Sequence, residues 1–299
     1  MLKYLTLSLL VLSSCARKEG SISAGPNFEK DLQTALIQAH SGAVIELPAG
    51  TFNMTGTLSL TVPNVTIRGQ GIGQTVLSYK NQTTGAAGIQ ATGDHFTLEA
   101  LTVQDTKGDG VKINDVDGVT IRKVRAEWTG GPNEKNGSYG IYPVKCNHVL
   151  IEDSASSGAA DAGIYVGQSK NIVVRRNTAE YNVAGIEIEN SESADVYENT
   201  ATNNAGGLLV FSLPDLPVKG SRNTRVFNNQ VYSNNTPNFA PKGNIVAKVP
   251  TGTGIIVMAT HQAELYKNQI HDNNTVNISI ISYLSTGNPV NDPTYDPFV

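Results

Sequence analysis

Short stretches in which every second residue is apolar recur along this chain. They are Ile89-Gln-Ala91, Val111-Lys-Ile113, Ile141-Tyr-Pro143, Ile164-Tyr-Val166, Ile186-Glu-Ile188, Leu208-Leu-Val210, Ile255-Ile-Val257 and Ile278-Ser-Ile280. Alternation of this kind predicts strands with one buried face. From Ile141 to Leu208 the position returns at steps of 23, 22 and 22 residues. The step from Leu208 to Ile255 is 47 residues, which reads as about two coils. A second apolar set follows in the same order: Leu98, Ile121, Ile151, Val174, Val196, Val226 and Leu265. Its longer steps read as insertions between strands. Glycine precedes most strands of the first set and is expected to permit the bend that starts each one.

Asparagines recur in the same register. Asn177, Asn199, Asn229 and Asn268 align, and Asn182, Asn204, Asn234 and Asn273 each follow five residues later. Asn tolerates left-handed corners, and its amide can bond to the same residue one coil away. Two stacked Asn ladders are therefore expected. Together with three short strands per period, they predict an all-β fold, a single parallel β-helix with coils of about 22 residues. An open end of such a stack needs a cap. The segment from Phe28 to His40, FEKDLQTALIQAH, reads as an amphipathic helix over the N-terminal end. The stretch VIELPAGTFNMTGTLSLTVPNVTIRGQG then supplies the first coil. The last coil ends near Tyr283, and the tail after it, with three prolines and no apolar period, either folds over the open end or leaves it to another element.

The order of helix, VIELPAGTF and NVTIRGQG resembles the opening of right-handed β-helix proteins of the pectin-lyase-like superfamily. The coils GIYVGQS and NIVVRRN resemble the parallel β-helix repeat proteins of bacteria in that group, which are often lipoproteins. The resemblance covers residues 28 to about 284. It implies a right-handed β-helix, and a range of chemistries that includes pectate and alginate lyases, sugar epimerases and polygalacturonases. The Asp-Pro-His-Asp motif of the alginate epimerases is missing from this sequence, and NDPTYDP at Asn291 is not a copy of it.

The N-terminus changes the picture of where the protein works. Lys3 precedes the apolar run Leu5 to Leu12, which is too short to span a bilayer. Leu12-Ser13-Ser14-Cys15 follows and resembles a bacterial lipobox, which implies acylation of Cys15 after removal of residues 1–14. Ala16 and Arg17 carry no retention signal for the inner membrane. The resemblance therefore implies a cell-envelope protein held by lipid in the outer membrane. Residues 15–27 read as a tether, 28–284 as the β-helix domain and 285–299 as a C-terminal tail. Cys146 then remains the single thiol, expected in or beside the core.

Of the 299 residues, 16% are charged and the formal charge is −4, so no basic face advertises nucleic acid. The outward column of the first strand set reads Gln90, Lys112, Tyr142, Tyr165, Glu187, Leu209, Ile256 and Ser279. On the second strand the charges Arg122, Glu152 and Arg175, and Asp195, Arg225 and Glu264, alternate in sign as ion-paired stacking would require. The first face does not alternate, and it is the candidate site. Lys112 is a candidate base or neutraliser of a sugar carboxylate. Tyr142 and Tyr165 are candidate proton donors, and Glu187 is a further catalytic candidate. Asp109, Asn114, Tyr139, Lys145, Asp161, Glu189, Phe211, Phe239 and Lys242 are candidates for substrate contact. Glu187 and Glu189, about 6–7 Å apart along one strand, could with Asp161 hold Ca²⁺ in a metal-assisted variant. Spacing for zinc is absent.

The expected partner is an acidic polysaccharide, cleaved or epimerised by a β-elimination type of chemistry. Two readings stand beside it. The face could bind glycan or serve the envelope structurally without catalysis, or the carboxylate spacing could serve a glycoside hydrolase. The insertions Phe211 to Thr224 and Asn234 to Gly254 either line a groove or shield the helix. Oligomeric state is open at this point.

Overall fold

A computed structural model describes residues 18–19 and 22–298. The signal segment and Cys15 lie outside the described residues. The chain winds into a β-helix in which every strand pairing between coils is parallel. One side is a nine-stranded sheet made of β1 (Leu58–Leu60), β2 (Ile89–Ala91), β3 (Val111–Asn114), β4 (Tyr139–Val144), β5 (Ala162–Gly167), β6 (Ala184–Glu189), β7 (Gly206–Phe211), β8 (Thr253–Met258) and β9 (Val276–Ile281). The other sides form an eighteen-stranded sheet.

The expected registers hold on both sides. Ile141, Ile164, Ile186, Leu208, Ile255 and Ile278 lie side by side in consecutive strands, and so do Ile121, Ile151, Val174, Val196, Val226 and Leu265. The 47-residue step is not two coils. Leu208 pairs directly with Ile255, so the segment is one coil carrying two long insertions. Inward Val, Ile and Leu from every coil but the last fill a continuous buried core, joined by the Cys146 side chain. Burial pushes the Cys146 thiol up to about 11, which makes it inert at neutral pH.

The glycines before the strands serve a different purpose from the one expected. A Cβ on Gly110 would fall 2.5 Å from the carbonyl oxygen of Gly140 in the next coil, and one on Gly185 would fall 2.5 Å from that of Gly207. Backbones approach too closely there for any side chain. The left-handed corners fall on the residues before the ladder asparagines, such as Arg176, Tyr181, Glu198 and Asn203. The ladders themselves form as expected. Each amide donates to the next, from Asn177 to Asn199 to Asn229 at 3.0 Å each, and from Asn182 to Asn204 at 3.1 Å. On the outside of the other face, Arg175 and Arg176 grip Glu152, Arg225 grips Asp195, and Arg122 reaches Glu99.

Helix α1 (Phe28–Gln38) buries Phe28, Leu32 and Leu36 on the first coil. The Glu29 carboxylate accepts from the backbone N–H groups of Thr55 and Gly56 at 2.9 and 2.8 Å, fixing the cap. The segment expected as a tether is docked from Ile22, which is buried and donates its N–H to Glu46 at 3.2 Å. The tail does not fold over the open end. It runs along the outside of the nine-stranded sheet, where the Tyr295 hydroxyl donates to the Ser212 carbonyl and the Tyr283 N–H to Pro297.

Candidate functional site

The outer face of the nine-stranded sheet was expected to be open, and its middle is not. Every residue of β5 through β8 is buried on both faces. The two insertions and the tail lay a second apolar layer over it, built from Leu209, Phe211, Val246, Val249, Ile256, Met258, Tyr283 and Tyr295. Asn190, itself buried at a left-handed corner, pins the first insertion by donating to Leu213 and Val218 and accepting from the Leu213 N–H. Asn238 organises the second by donating to Val246 and Val249 at 2.9 Å each.

This layer seals three carboxyl groups. Asp161, Glu187 and Glu189 are 6%, 1% and 7% exposed. The Asn244 amide, reaching down from the second insertion, donates to Asp161 at 3.0 Å. The Tyr165 hydroxyl donates to Glu189 at 2.6 Å. Gly167 makes that bond possible: the Tyr165 ring lies where a Gly167 side chain would be, with its hydroxyl oxygen 2.0 Å from the ideal Cβ position. Among the described residues, the Oε2 atom of Glu187 finds no hydrogen-bond partner.

Burial is the largest influence on all three acids. It raises Asp161 to about 7, with help from the nearby Glu189 and against the hydrogen bonds from Asn244 and Tyr139. It raises Glu187 well above the ordinary carboxyl range, reinforced by Glu189 and Asp161. It raises Glu189 against the opposing Tyr165 bond. Each shift favours the protonated form and so lessens the repulsion that bringing three acids together would create.

Glu187 and Tyr165 therefore do not meet solvent, and neither does Phe211, so none of the three can touch a polymer on this face. Phe239 packs into the second layer instead of lining a groove. The calcium arrangement at Glu187, Glu189 and Asp161 does not fit either. Among the described residues no group of three or more His, Cys, Asp or Glu side chains is placed to hold a metal, and one oxygen each of Asp161 and Glu189 is engaged by Asn244 and Tyr165.

At the N-terminal margin of this layer the face opens. Lys112 on β3 and Tyr142 on β4 are neighbours in register, and the ammonium group lies 5.2 Å from the centre of the Tyr142 ring. The same nitrogen is 3.6 Å from Asp109, with the Lys112 side chain 35% exposed. Tyr139 stacks on Tyr142 with centres 4.3 Å apart, and Tyr165 backs both rings at 4.7 and 5.1 Å. Burial, followed by the charge of Asp109, pushes the Tyr142 phenol up to about 12, so it keeps its proton at neutral pH. Burial raises the Asp109 carboxyl while Lys112 opposes the shift. Asn114 sits half-buried beside Val144 in register. Lys145 leaves β4 at an exposed left-handed corner, and Lys242 is exposed on the second insertion.

Four expected residues thus meet at one half-buried edge, Asp109, Lys112, Tyr139 and Tyr142, with Asn114 two positions beyond Lys112 along β3. Asn244, Asn190 and Gly167 were not foreseen. Asn244 acts across 83 positions of sequence, from inside an insertion whose fold has no period to read. Gly167 carried a signal, a glycine where the outward column should hold a side chain.

The sequence matches the family model for the right-handed beta helix region over residues 51–221, and the chain belongs to that family. Among solved structures it is similar to the A-module of the mannuronan C-5 epimerase AlgE4 of Azotobacter vinelandii. The TM-score is 0.64 at 18% identity, over 85% of this chain and 72% of that one. The AlgE6 A-module of the same organism gives 0.55 at 19% identity, over 86% and 76%. These likenesses show the fold. No curated protein matches the chain.

Proposed function

We propose that the chain binds an acidic, uronate-containing polysaccharide at the Lys112–Tyr142 edge. The observation that carries the reading is the placement of one ammonium group over an aromatic stack at the open margin of a sealed face. Tyr139 and Tyr142 offer a tyrosine stack for a sugar ring at that margin. Lys112 supplies the positive charge that a uronate carboxylate needs, and neutralising the carboxylate favours loss of the C5 proton.

The edge also holds the parts for β-elimination. Asp109, its carboxyl raised by burial and 3.6 Å from the Lys112 ammonium, is the base for the C5 proton. Tyr142, holding its proton, donates to the glycosidic oxygen as the C4–O bond breaks and the C4–C5 double bond forms. Return of a proton to the opposite face of C5 would give epimerisation instead. The sealing of Glu187 and Glu189 argues against a glycoside hydrolase, since that chemistry needs two carboxyl groups at the sugar. It equally favours a second reading, binding without turnover. The similarity to two epimerase modules supports a polysaccharide ligand.

We propose further that acylated Cys15 holds the domain in the cell envelope, which rests on residues 1–17 alone. Cys15→Ser should release the protein from membranes.

The test is calorimetric titration with oligouronates and with neutral oligosaccharides of equal length, alongside near-ultraviolet absorbance of the unsaturated product. Lys112→Ala should weaken uronate binding by ten-fold or more. Tyr142→Phe should abolish any absorbance growth while preserving binding. Equal affinity for neutral and acidic glycans, or none for either, would refute the proposal. Uronate binding with no growth, and no new epimer in the NMR spectrum of the polymer, would establish the non-catalytic reading.

A further inference from the structure

Among the described residues, nothing covers the last coil of the stack at its C-terminal end. Among the described residues β9 pairs with β8 and with nothing beyond it. Ile278 and Ile280 take the inward register, beside the buried Ile255 and Val257, and yet are 45% and 63% exposed. The inward Leu265 and Ile270 of the same coil are only partly buried. The aromatic column Tyr197, Phe227, Tyr266, stacked at 4.8 and 4.9 Å, ends with Tyr266 exposed. Both Asn ladders end on the same coil, at Asn268 and Asn273. The tail lies along the side and leaves this end open. Exposed edge strands are usually blunted by charge or proline. The sequence of β9, VNISII, has neither.

We propose that this end is an interface with a second copy of the chain. The two β-helices meet end to end about a two-fold axis, with β9 pairing antiparallel to its mate around Ser279. Centring the pair there sets Ile278 opposite the partner's Ile280 on the inward side, so two half-open cores close into one. The pleat also matches, because Ser279 then meets the partner's Ser279 on the outward side. The same axis exchanges the remaining sides of the terminal coil. It carries the strand of Leu265 over the strand that holds the partner's Ile270, and Glu264 toward the partner's His271. The central strand thus brings no charge to the axis, and the flanking strand brings Glu264 toward a histidine that pairs with Asp272 in its own coil. An isologous contact of this kind closes on itself and gives a dimer instead of a filament.

The test is the mass of the full chain by sedimentation equilibrium over a range of concentrations, with disulfide trapping of Ser279→Cys. A concentration-dependent doubling of mass is expected. Ser279→Cys should form a linked dimer under mild oxidation, whereas wild type and Ser59→Cys, at the opposite end, should not. Ile280→Lys should sediment as a monomer and melt where the wild type melts once diluted to monomer, since that side chain is exposed in one copy. A monomer at every concentration overturns the proposal. So does a dimer whose Ser279→Cys form fails to link.

Discussion

The sealed carboxyl trio makes stability fall as pH rises, and Asp161→Asn measures this directly. The folded Asp161 carboxyl holds its proton until about pH 7, whereas an unfolded Asp releases it near 4. Between those values the folded state binds more protons, so each pH unit of increase lowers stability by about 1.4 kcal/mol for this one group. Its contribution is complete below the unfolded value and is lost as pH climbs through the folded one. The substituted carboxamide keeps an oxygen that can accept from the Asn244 amide, which now bonds to Asp161 at 3.0 Å, and it never ionises. From pH 5 to pH 8 the variant should therefore gain about 3 kcal/mol relative to wild type. For a domain of this size that corresponds to roughly 6–12 °C in melting temperature. Thermal melts of both proteins across that range by circular dichroism are the assay. Parallel pH profiles, or a variant that loses ground as pH rises, would show that Asp161 is ionised in the fold and refute the reasoning.

Other consequences follow from single contacts. Gly167→Ala must displace the Tyr165 ring, whose hydroxyl oxygen lies 2.0 Å from the new Cβ position, and so break the bond to Glu189. A loss of about 2–4 kcal/mol is expected from overpacking and the stranded carboxyl, read by chemical denaturation beside Tyr165→Phe, which removes the bond without the clash. Asn229→Ala removes a buried rung whose amide donates to Asn268 and Val196 and whose oxygen accepts twice from Asn199. It should lose about 3 kcal/mol or more. Asn268→Ala, on the half-open last rung, should lose less.

The solenoid was legible because its coils repeat one physical problem. Each coil must bury the same inward positions, so Ile164, Ile186 and Leu208 announce themselves by spacing, and the ladder asparagines by their fixed offset. The outward column was legible in order but not in environment. Register placed Glu187 on the outside of the β-helix, yet outside the coil is not outside the molecule. Whether solvent or an insertion covers a residue there depends on how Phe211 to Thr224 and Asn234 to Gly254 fold. Those segments have no repeat, and their anchors, Asn190, Asn238 and Asn244, are fixed by tertiary contacts. The apolar outward residues Leu209, Phe211, Ile256 and Met258 did carry a hint, since four such side chains on one face imply a cover. The edge at Lys112 and Tyr142 was found because those two residues keep the register of the first strand set and stay only half-buried.

The most direct measurement is hydrogen–deuterium exchange of the protein with and without an oligouronate. Protection confined to residues 109–114 and 139–142, with 184–189 unchanged, is the result expected if the sugar meets the Lys112–Tyr142 edge and the buried acids stay sealed. Protection centred on 184–189, or none at the edge, would contradict it.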